Sequence, residues 1–556
     1  MVVDALRVFT LAFAQNMVLQ LVKDLHVHGL ASFPTALLGM TIVFAHVSSS
    51  EMALMNLAAS AVLVLALHGS ASNHVVLEAI VALGILFTAP YQTPHLDRAS
   101  RRALWSERLT VCMRAVLCAL YLVTGFAKLN DGWHDPRYSC CVHMFVGVIG
   151  FFSPASIAWL PSSLLRVLPY LATAFEMGFP LALLGALAHR ARGADSATAS
   201  LPLRCLTVAG CAFHVLIALP PPPISVYPFS MLMVPIYVPS LLPDEVGCAA
   251  RAVAAWPRRV HTAIAAVLAA AIAGAIMIHH SSTRFEYPPY FAWELGALWT
   301  LGTFGALAAV ALGVVSAAHG HGPSPSPPSR SSAAVAWHPR LWLTLAPAAC
   351  LVAIGSCTYL GVRTYPSFAM FSNLVLEGGV SNHWLMRAPS RADAGASQVV
   401  GAPRASTRGM NGAYGAHVAL EIVQTNLPSL RDLQINLAPL LPAHVLGAFT
   451  ATNVSAEFHI TPPSWGYAPT EPFRSFAVPL VEVRRRLAVA RRTTRDFYVR
   501  YRTLDAAGRG GVREFRRRAG KLVHGSDARL EEPLPILRAA IHRYRTFDTA
   551  YAPCRH

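Results

Sequence analysis

A lysine stands at the end of a long apolar run, where an ionisable side chain is costly. The segment GFAKLNDGW, residues 125–133, follows CMRAVLCALYLVT and contains Lys128. Among the 45 lysines and arginines of the chain, only Lys23, Lys128 and Lys521 are lysines. Burial disfavours the charged form of an amine, and only a neutral amine can accept a proton. The residue type therefore predicts a general base at position 128, because arginine keeps its proton.

A structural explanation for Lys128 is open beside this one. A lysine near a helix end can extend its ammonium group to the membrane interface. Helical spacing places Tyr121, Thr124, Gly125 and Lys128 on one stripe, and this small, polar stripe predicts contact with protein or a cavity rather than lipid. The spacing by itself leaves both interpretations standing.

Other ionisable side chains at membrane depth are functional candidates by default. Glu78 follows His74 by four residues in SNHVVLEAIV, so the two share a helix face. Glu176 lies in LATAFEMGFPLAL and His214 lies in CAFHVLIAL. Each histidine could equally be a satisfied polar group between helices, and Glu176 could hydrogen bond to a neighbouring helix. Together with Lys128 they suggest a proton-handling site.

The elements that position these residues are apolar helices. The 556 residues are 54% hydrophobic and 13% charged, with a mean hydropathy of +0.45, whereas soluble domains have about twice that charged fraction. The apolar runs approach the roughly 20 residues that a transmembrane helix needs. We predict an all-α polytopic membrane bundle of about 10–12 transmembrane helices, followed by a small β-rich extramembrane C-terminal domain. The runs lie near residues 5–22, 30–47, 52–68, 75–90, 109–129, 141–160, 166–188, 202–219, 226–242, 260–280, 295–317 and 341–361.

Four segments follow one another along the chain. Residues 1–50 are N-terminal transmembrane helices, residues 50–245 are a membrane core, residues 246–362 add helices around a Pro/Ser loop at 319–332, and residues 363–556 are basic and β-rich. In the last segment the alternating stretches 417–423, 453–460, 496–502 and 511–517 predict strands, and 481–492 and 535–547 predict helices.

Basic loops predict which side of the membrane each segment faces. The loops 189–204, 243–260 and 320–340 are separated by pairs of spans, and the positive-inside rule places them in the cytosol. One further span puts the C-terminal domain in the lumen, where the sequon at Asn453 is expected to be glycosylated.

The basic loop 93–108 agrees with this topology on one condition. The run 141–160, which Pro154 and Pro161 interrupt, must enter the membrane without crossing it. The loop from Asn130 to Ser139 is then lumenal, as is the Lys128 end of its helix.

The C-terminal segment carries most of the positive charge. From Arg363 to the end there are 26 lysines and arginines against 14 acidic residues. This is either an ordinary solvated surface or one that meets acidic peptides or anionic lipid headgroups. We predict no nucleic-acid partner for a domain tethered to so many spans. The ten cysteines show no metal-binding spacing, so we predict no metal site.

The segment LYLVTGFAKLNDGWHDPRYS resembles the region around the catalytic lysine of vitamin K-dependent gamma-carboxylases and of the wider horizontally transferred transmembrane (HTTM) domain family. Those proteins carry a Gly-x-x-Lys-Leu-[Asp/Asn]-x-x-Trp pattern, which Gly125, Lys128, Leu129, Asn130 and Trp133 match. The resemblance identifies residues 50–245 as a gamma-carboxylase-like core.

Two further segments carry the resemblance. SNHVVLEAIVALGILF is similar to the family's Asn-His segment through Asn73 and His74, and AFHVLIALPPPPISVYPFSMLM is similar to its Phe-His helix through Phe213 and His214. One departure is Ala127, where the carboxylase has a second lysine.

The resemblance implies an integral membrane lyase and quinol epoxidase of the endoplasmic reticulum or other secretory membranes. Lys128 would deprotonate reduced vitamin K, oxygen would convert the quinol to a strong base and then the epoxide, and that base would remove a glutamyl γ-proton so that CO₂ adds. His74 and His214 would assist as catalytic residues. The supporting residues implied are Glu78, Glu176, Asn73, Asn130, Trp133 and Tyr121.

The segment FAMFSNLVLEGGVSNHWLM, residues 368–386, also resembles a segment that follows the membrane domain in the wider group. Its Glu377 and His383 are additional candidates for the site. The alternative is that Gly378 and Gly379 form a turn and His383 merely caps it.

Two other functions stay open. A transport or lipid-handling protein would use the buried charges as a proton relay, although the chain lacks a repeat between its halves, which counts mildly against a transporter. A non-catalytic scaffold would use its lumenal domain to bind partners, and it would tolerate arginine at position 128.

Overall fold

The computed structural model describes residues 51–68, 73–91, 96–136, 139–192, 196–219, 226–243, 341–360, 419–427, 476–493 and most of 496–524, together with scattered shorter pieces that include parts of 6–42 and 367–385. The chain divides into two compact units. One comprises Met1–Tyr121 with Gly178–Val352, and the other comprises Leu122–Met177 with Ala353–His556.

The described helices are α1 (Glu51–His68), α2 (Asn73–Thr88), α3 (Arg98–Ala127), α4 (Asp131–His134), α5 (Cys140–Phe152), α6 (Ser162–Ala191), α7 (Ser196–Ala218), α8 (Tyr227–Leu241), α9 (Leu341–Ser356) and α10 (Leu480–Thr493). A 3-10 helix, Pro154–Trp159, lies between α5 and α6.

Three of the described helices are long and apolar enough to cross a membrane: α3, α6 over Ser162–His189, and α7 over Leu201–Ala218. Shorter apolar helices accompany them, among them α2, α5 and α9. The described part of the chain is therefore mostly helical, as predicted, and includes three candidate membrane spans. The larger total of about 10–12 spans stays a prediction.

Helix α5 is too short to cross a bilayer by itself. Its 13 residues extend about 20 Å, against a hydrocarbon core of about 30 Å. The chain leaves the helix at Ser153, and Pro154 begins the 3-10 helix. The break therefore occurs where the sequence predicted an interrupted segment.

Close helix contacts in the first unit depend on small residues and one arginine. A Cβ atom on Gly84 of α2 would lie 2.7 Å from Met113 Cε and 2.9 Å from Cys112 Sγ, so the side chains of α3 pack closely against this glycine. Arg114 of α3 donates from Nε to the Ser240 carbonyl at 2.8 Å. That cation sits at the C-terminal end of α8, where a positive charge is favourable.

The C-terminal segment contains an antiparallel sheet. Its strands are β1 (Ala419–Thr425), β2 (Phe476–Pro479), β3 (Phe497–Asp505), β4 (Gly508–Arg509), β5 (Arg513–Arg518) and β6 (Lys521–His524). The order is β2-β1-β3-β5-β6, with β4 paired to β3.

The strands predicted at 417–423, 496–502 and 511–517 and the helix predicted at 481–492 are confirmed. The predictions at 319–332, 453–460 and 535–547, and those for Glu377 and Asn453, lie outside the described residues.

One face of this sheet forms a core with α10. Alternation along β3 turns Val499 and Tyr501 inward, and Val483 and Leu487 of α10 belong to the same buried cluster. Phe515 of β5 is 1% exposed in that cluster. A small domain of this kind is held together mainly by such burial.

We expect Phe515→Ala to destabilise the sheet by about 3–5 kcal/mol, because it leaves a cavity beside the stacked Phe497 ring. Limited proteolysis of the full chain in detergent should then cut the C-terminal segment much faster. Val523→Ala, at a position 59% exposed in the same sheet, is the matched control and should be cut at the wild-type rate. Equal cutting of both variants would contradict this account of the core.

Candidate functional site

Lys128 lies in a tight turn immediately after α3. The Lys128 N–H donates to the Gly125 carbonyl at 3.1 Å and the Leu129 N–H donates to the Phe126 carbonyl at 3.1 Å, a narrower pattern than that of the preceding α-helix. The residues Phe126–Asn130 are called the Lys128 turn below. The lysine therefore projects from a helix end and not from the middle of a span.

The ammonium group of Lys128 is paired with Glu176 of α6. Lys128 Nζ donates to Glu176 Oε2 at 2.5 Å, and the two residues are 8% and 5% exposed. Nζ also lies 5.1 Å from the centre of the Trp133 ring, over its face. Snorkelling alone does not describe this arrangement, because the amine meets a buried carboxylate and an aromatic face.

This pair can move a proton between its two members. With the proton on Nζ, an ammonium ion faces a carboxylate; with the proton on Oε2, a neutral amine faces a neutral acid. Burying two charges carries a desolvation penalty that the neutral form avoids. The contact thus supplies an amine that can act as a base together with an adjacent group that can hold the proton.

Gly125 allows the two helices to approach closely enough for this contact. A Cβ atom at this position would lie 2.9 Å from Met177 Sδ and 3.2 Å from Glu176 Cβ. The second atom is next to the backbone of α6 and cannot move aside as a side-chain tip can. The glycine of the sequence motif therefore has a packing role beside the lysine.

Asn130 and Trp133 of the motif fix the neighbouring chain. Asn130 accepts the Trp133 N–H on its side-chain oxygen at 2.8 Å and so caps the short helix α4. Trp133 donates from Nε1 to the Pro169 carbonyl at 3.1 Å and to Thr173 Oγ1 at 3.0 Å. These bonds hold the indole ring against α6, where it faces Lys128.

His134 is a member of this region that the sequence analysis did not single out. Its Nδ1–H donates to the Asn130 carbonyl at 3.0 Å. The ring stacks on Trp384 at 4.4 Å between centroids and contacts Tyr170 at 4.5 Å. Burial lowers the pKa of His134 below its usual value, an effect that the Asn130 hydrogen bond and Asp131 oppose. Its proximity to the Lys-Leu-Asn motif was the only sequence signal available.

His383 also belongs to this region. It donates from Nε2 to the Phe126 carbonyl at 2.9 Å and accepts the Leu385 N–H on Nδ1 at 3.2 Å. Burial lowers its pKa, with the Phe126 bond acting in the opposite direction. His383 therefore caps the end of α3, and the predicted turn at Gly378 and Gly379 lies outside the described residues.

The first unit contains a separate chain of buried polar groups. Tyr237 donates its hydroxyl proton to the Tyr121 hydroxyl, which leaves Tyr121 able to donate to His214 Nε2 at 3.0 Å. His214 Nδ1 then carries the ring proton and faces Ser230 Oγ at 3.4 Å. Phe179 packs on Tyr121, with ring centroids 4.6 Å apart. Such a chain can pass a proton from group to group.

The Asn-His segment lies on α2 in the same first unit. Asn73 and Glu78 are buried there and His74 is half-buried. The predicted site residues are therefore described by unit. Lys128, Glu176, Asn130, Trp133 and His383 are together in the second unit, Tyr121 and His214 are together in the first, and Asn73, His74 and Glu78 share α2.

Sequence reasoning missed Tyr237, Ser230, His134 and the disulfide of Cys140. A tyrosine or serine in an apolar helix has no distinctive spacing, and one cysteine among ten identifies no partner. Within the residues that the structure describes, no three His, Cys, Asp or Glu side chains are grouped so as to hold a metal ion.

The chain matches no protein-family profile, no curated protein and no solved structure. The likeness to the carboxylase group therefore stays a prediction from the motifs around Lys128, His74 and His214.

We expect Gly125→Ala to lower stability by about 1–3 kcal/mol, because the added methyl group presses on Met177 and Glu176. Thermal unfolding of the purified protein in detergent measures this. Gly185→Ala is the control. Gly185 lies on α6, the helix that packs against Gly125, and a Cβ atom there would meet nothing within 4 Å. A melting temperature of Gly125→Ala no lower than that of Gly185→Ala would show that the close approach is not needed.

Proposed function

We propose that this chain is an integral membrane enzyme of the gamma-carboxylase type, in which Lys128 accepts a proton from a hydroxyl group of reduced vitamin K. The observation that carries the proposal is the contact between Lys128 Nζ and Glu176 Oε2 at 2.5 Å. In a chain that otherwise uses arginine, a lysine at this contact supports the proposal, because its amine can accept a proton whenever the proton shared with Glu176 lies on Oε2.

These two groups fit a quinol, because a neutral amine beside a protonated carboxyl group can accept a hydroxyl proton. Oxidation of the quinol by O₂ supplies the strong base that removes a glutamyl γ-proton before CO₂ adds. In this proposal the proton shared by the pair lies on Glu176 Oε2, so that the Lys128 amine is neutral. The amine then takes the quinol hydroxyl proton and becomes an ammonium ion, while Glu176 keeps its own proton. The Trp133 ring covers the amine and limits access of water. The resemblance implies assisting roles for His74, with Glu78 on the same helix α2, and for His214, and these roles stay predictions.

The disulfide of Cys140 supports a lumenal position for the Lys128 end of α3. Cys140 begins α5, ten residues after Asn130, and disulfides persist in oxidising compartments such as the endoplasmic reticulum. The basic residues Arg98, Arg101 and Arg102 stand at the other end of α3, which is consistent with a cytosolic location there. A glycosylated Asn453 belongs to the same proposal.

The outer face of the C-terminal sheet supports an acidic peptide as the partner. Alternation places Tyr498, Arg500 and Arg502 of β3 and Arg516 and Arg518 of β5 on the face opposite the core. Glu421 forms an ion pair with Arg502, and Glu514 forms one with Arg516. The arginines on this face therefore outnumber the carboxylates that pair with them. A glutamate-containing peptide complements that surface.

One observation favours a second candidate, a transport or lipid-handling protein. The hydrogen-bonded series Tyr237, Tyr121, His214 and Ser230 is a relay that could carry a proton in step with a substrate. This function predicts flux across vesicles without formation of a product.

The deciding experiment measures vitamin K quinol epoxidation, with labelled CO₂ and a short glutamyl peptide, in microsomes. We expect Lys128→Arg and Lys128→Ala each to reduce the rate about 100-fold or more, because neither residue can take the proton. Glu176→Gln should reduce it less, since the amine remains. Lys521→Arg on the exposed strand β6 is the control and should keep full activity. Epoxidation that survives in Lys128→Arg would exclude the lysine as the base.

The same assay tests the peptide partner. We expect the double variant Arg516→Glu, Arg518→Glu to raise the KM for the peptide about tenfold and to leave quinol oxidation without peptide unchanged. Arg192→Glu, an exposed charge at the end of α6, should change neither value. An unchanged KM in the double variant would remove the sheet from the binding surface.

A further inference from the structure

The carbonyl groups around Lys128 are satisfied from outside their own helix. A helix end leaves its last carbonyls without intrahelical donors. Here His383 Nε2–H bonds the Phe126 carbonyl at 2.9 Å, and the Trp384 N–H bonds the Leu129 carbonyl at 2.8 Å. Asn130 Nδ2–H bonds the Ala127 carbonyl at 2.9 Å. The backbone on both sides of Lys128 is therefore fixed by these donors.

The same distant part of the chain also fixes Asn130. Its Nδ2 donates a second proton to the Ser372 carbonyl at 2.7 Å, and an isolated antiparallel bridge joins Asn130 to His383. Because Asn130 also caps α4, its side chain links three pieces of chain at once. A shift of His383 or Ser372 would be transmitted to the turn that carries Lys128.

Apolar packing closes this junction. Ala127, which is 1% exposed, packs in one cluster with Ala369 and Leu374, and Tyr359 covers them. A long, charged side chain would not fit beneath Ala369 and Leu374, so the small side chain of Ala127 is what lets this segment pack here.

The His383 ring is held in one protonation state by its surroundings. Nε2 must carry a proton to bond the Phe126 carbonyl, and Nδ1 must lack one to accept the Leu385 N–H. The ring also packs against Phe126 and Tyr359, with centroids 4.6 Å and 5.4 Å away. Trp384 adds a bond from Nε1 to Asp131 Oδ1 at 2.9 Å.

We propose that His383 and Trp384 are positioning residues, which clamp the Lys128 turn so that the amine meets Glu176. The contacts that form the clamp do not depend on which reaction the protein catalyses. Their effect on activity rests on the proposed function. Loss of the His383 bonds leaves the Phe126 carbonyl and the Leu385 N–H short of partners. The turn then loosens, Nζ leaves Glu176, and the amine becomes open to solvent.

The clamp can be tested on the whole protein, because the chain has so few lysines that the labelling of Lys128 can be followed by itself. An amine-acylating reagent can modify Lys128 and Lys521, and mass spectrometry of peptides reports the rate at each. Lys521 is exposed on β6 and serves as a reference inside the same molecule. The ratio of the two rates measures how often the Lys128 turn opens.

We expect His383→Phe, which keeps the ring but loses both hydrogen bonds, to raise the labelling ratio about tenfold. His383→Gln, which retains an N–H donor and an acceptor, should stay within about twofold of the wild type. Trp384→Phe removes only the bond to Asp131 and should give a smaller rise. This milder variant also reports on the clamp if His383→Phe does not fold.

Equal labelling of Lys128 in the wild type, His383→Phe and Trp384→Phe would overturn the clamp. In the quinol assay we expect His383→Phe to lower kcat with little change in KM, and His383→Gln to restore it. If labelling changes as expected but no variant, the wild type included, oxidises quinol, the clamp stands and the proposed function fails.

Discussion

The second unit depends on one constraint, which is that an ionisable amine buried among apolar helices needs a polar partner. Leaving such a group buried without a partner costs several kcal/mol, and Glu176 at 2.5 Å from Lys128 Nζ is that partner. The pair requires α3 and α6 to come close, which Gly125 permits. The indole of Trp133, held by the Pro169 carbonyl and Thr173, then covers the pair.

Placement of the lysine just after a helix end has a consequence for its neighbours. A helix interior would hold the residue through its own hydrogen bonds, but a terminal turn has free carbonyls that need outside donors. Asn130, His383 and Trp384 supply those donors. The position of the amine is therefore decided by residues that lie far away in sequence as well as by the motif. This arrangement is consistent with a base that must be presented at a fixed point.

The C-terminal sheet separates its two faces by the alternation of its strands. Val499, Tyr501 and Phe515 point into a core with α10, whereas Arg500 and Arg516 point away from it. The same sequence stretch thus provides both a stable domain and a basic surface. Among the apolar helices that the structure describes, no such alternation separates two faces as clearly, because apolar residues surround those helices on most sides.

The sequence by itself determined the local elements. Apolar runs predicted α2, α3, α6 and α7, and alternation predicted β1, β3 and β5, because each of these depends on residues close together in the chain. The rarity of lysine and the Gly-x-x-Lys-Leu-Asn pattern singled out Lys128, Asn130 and Trp133. Only the tertiary structure decided the partners: Glu176 and not Glu78 for Lys128, Tyr121 and Tyr237 for His214, and Phe126 for His383, 257 residues away. Those contacts depend on how helices pack and where the chain returns, and hydrophobic periodicity does not specify either.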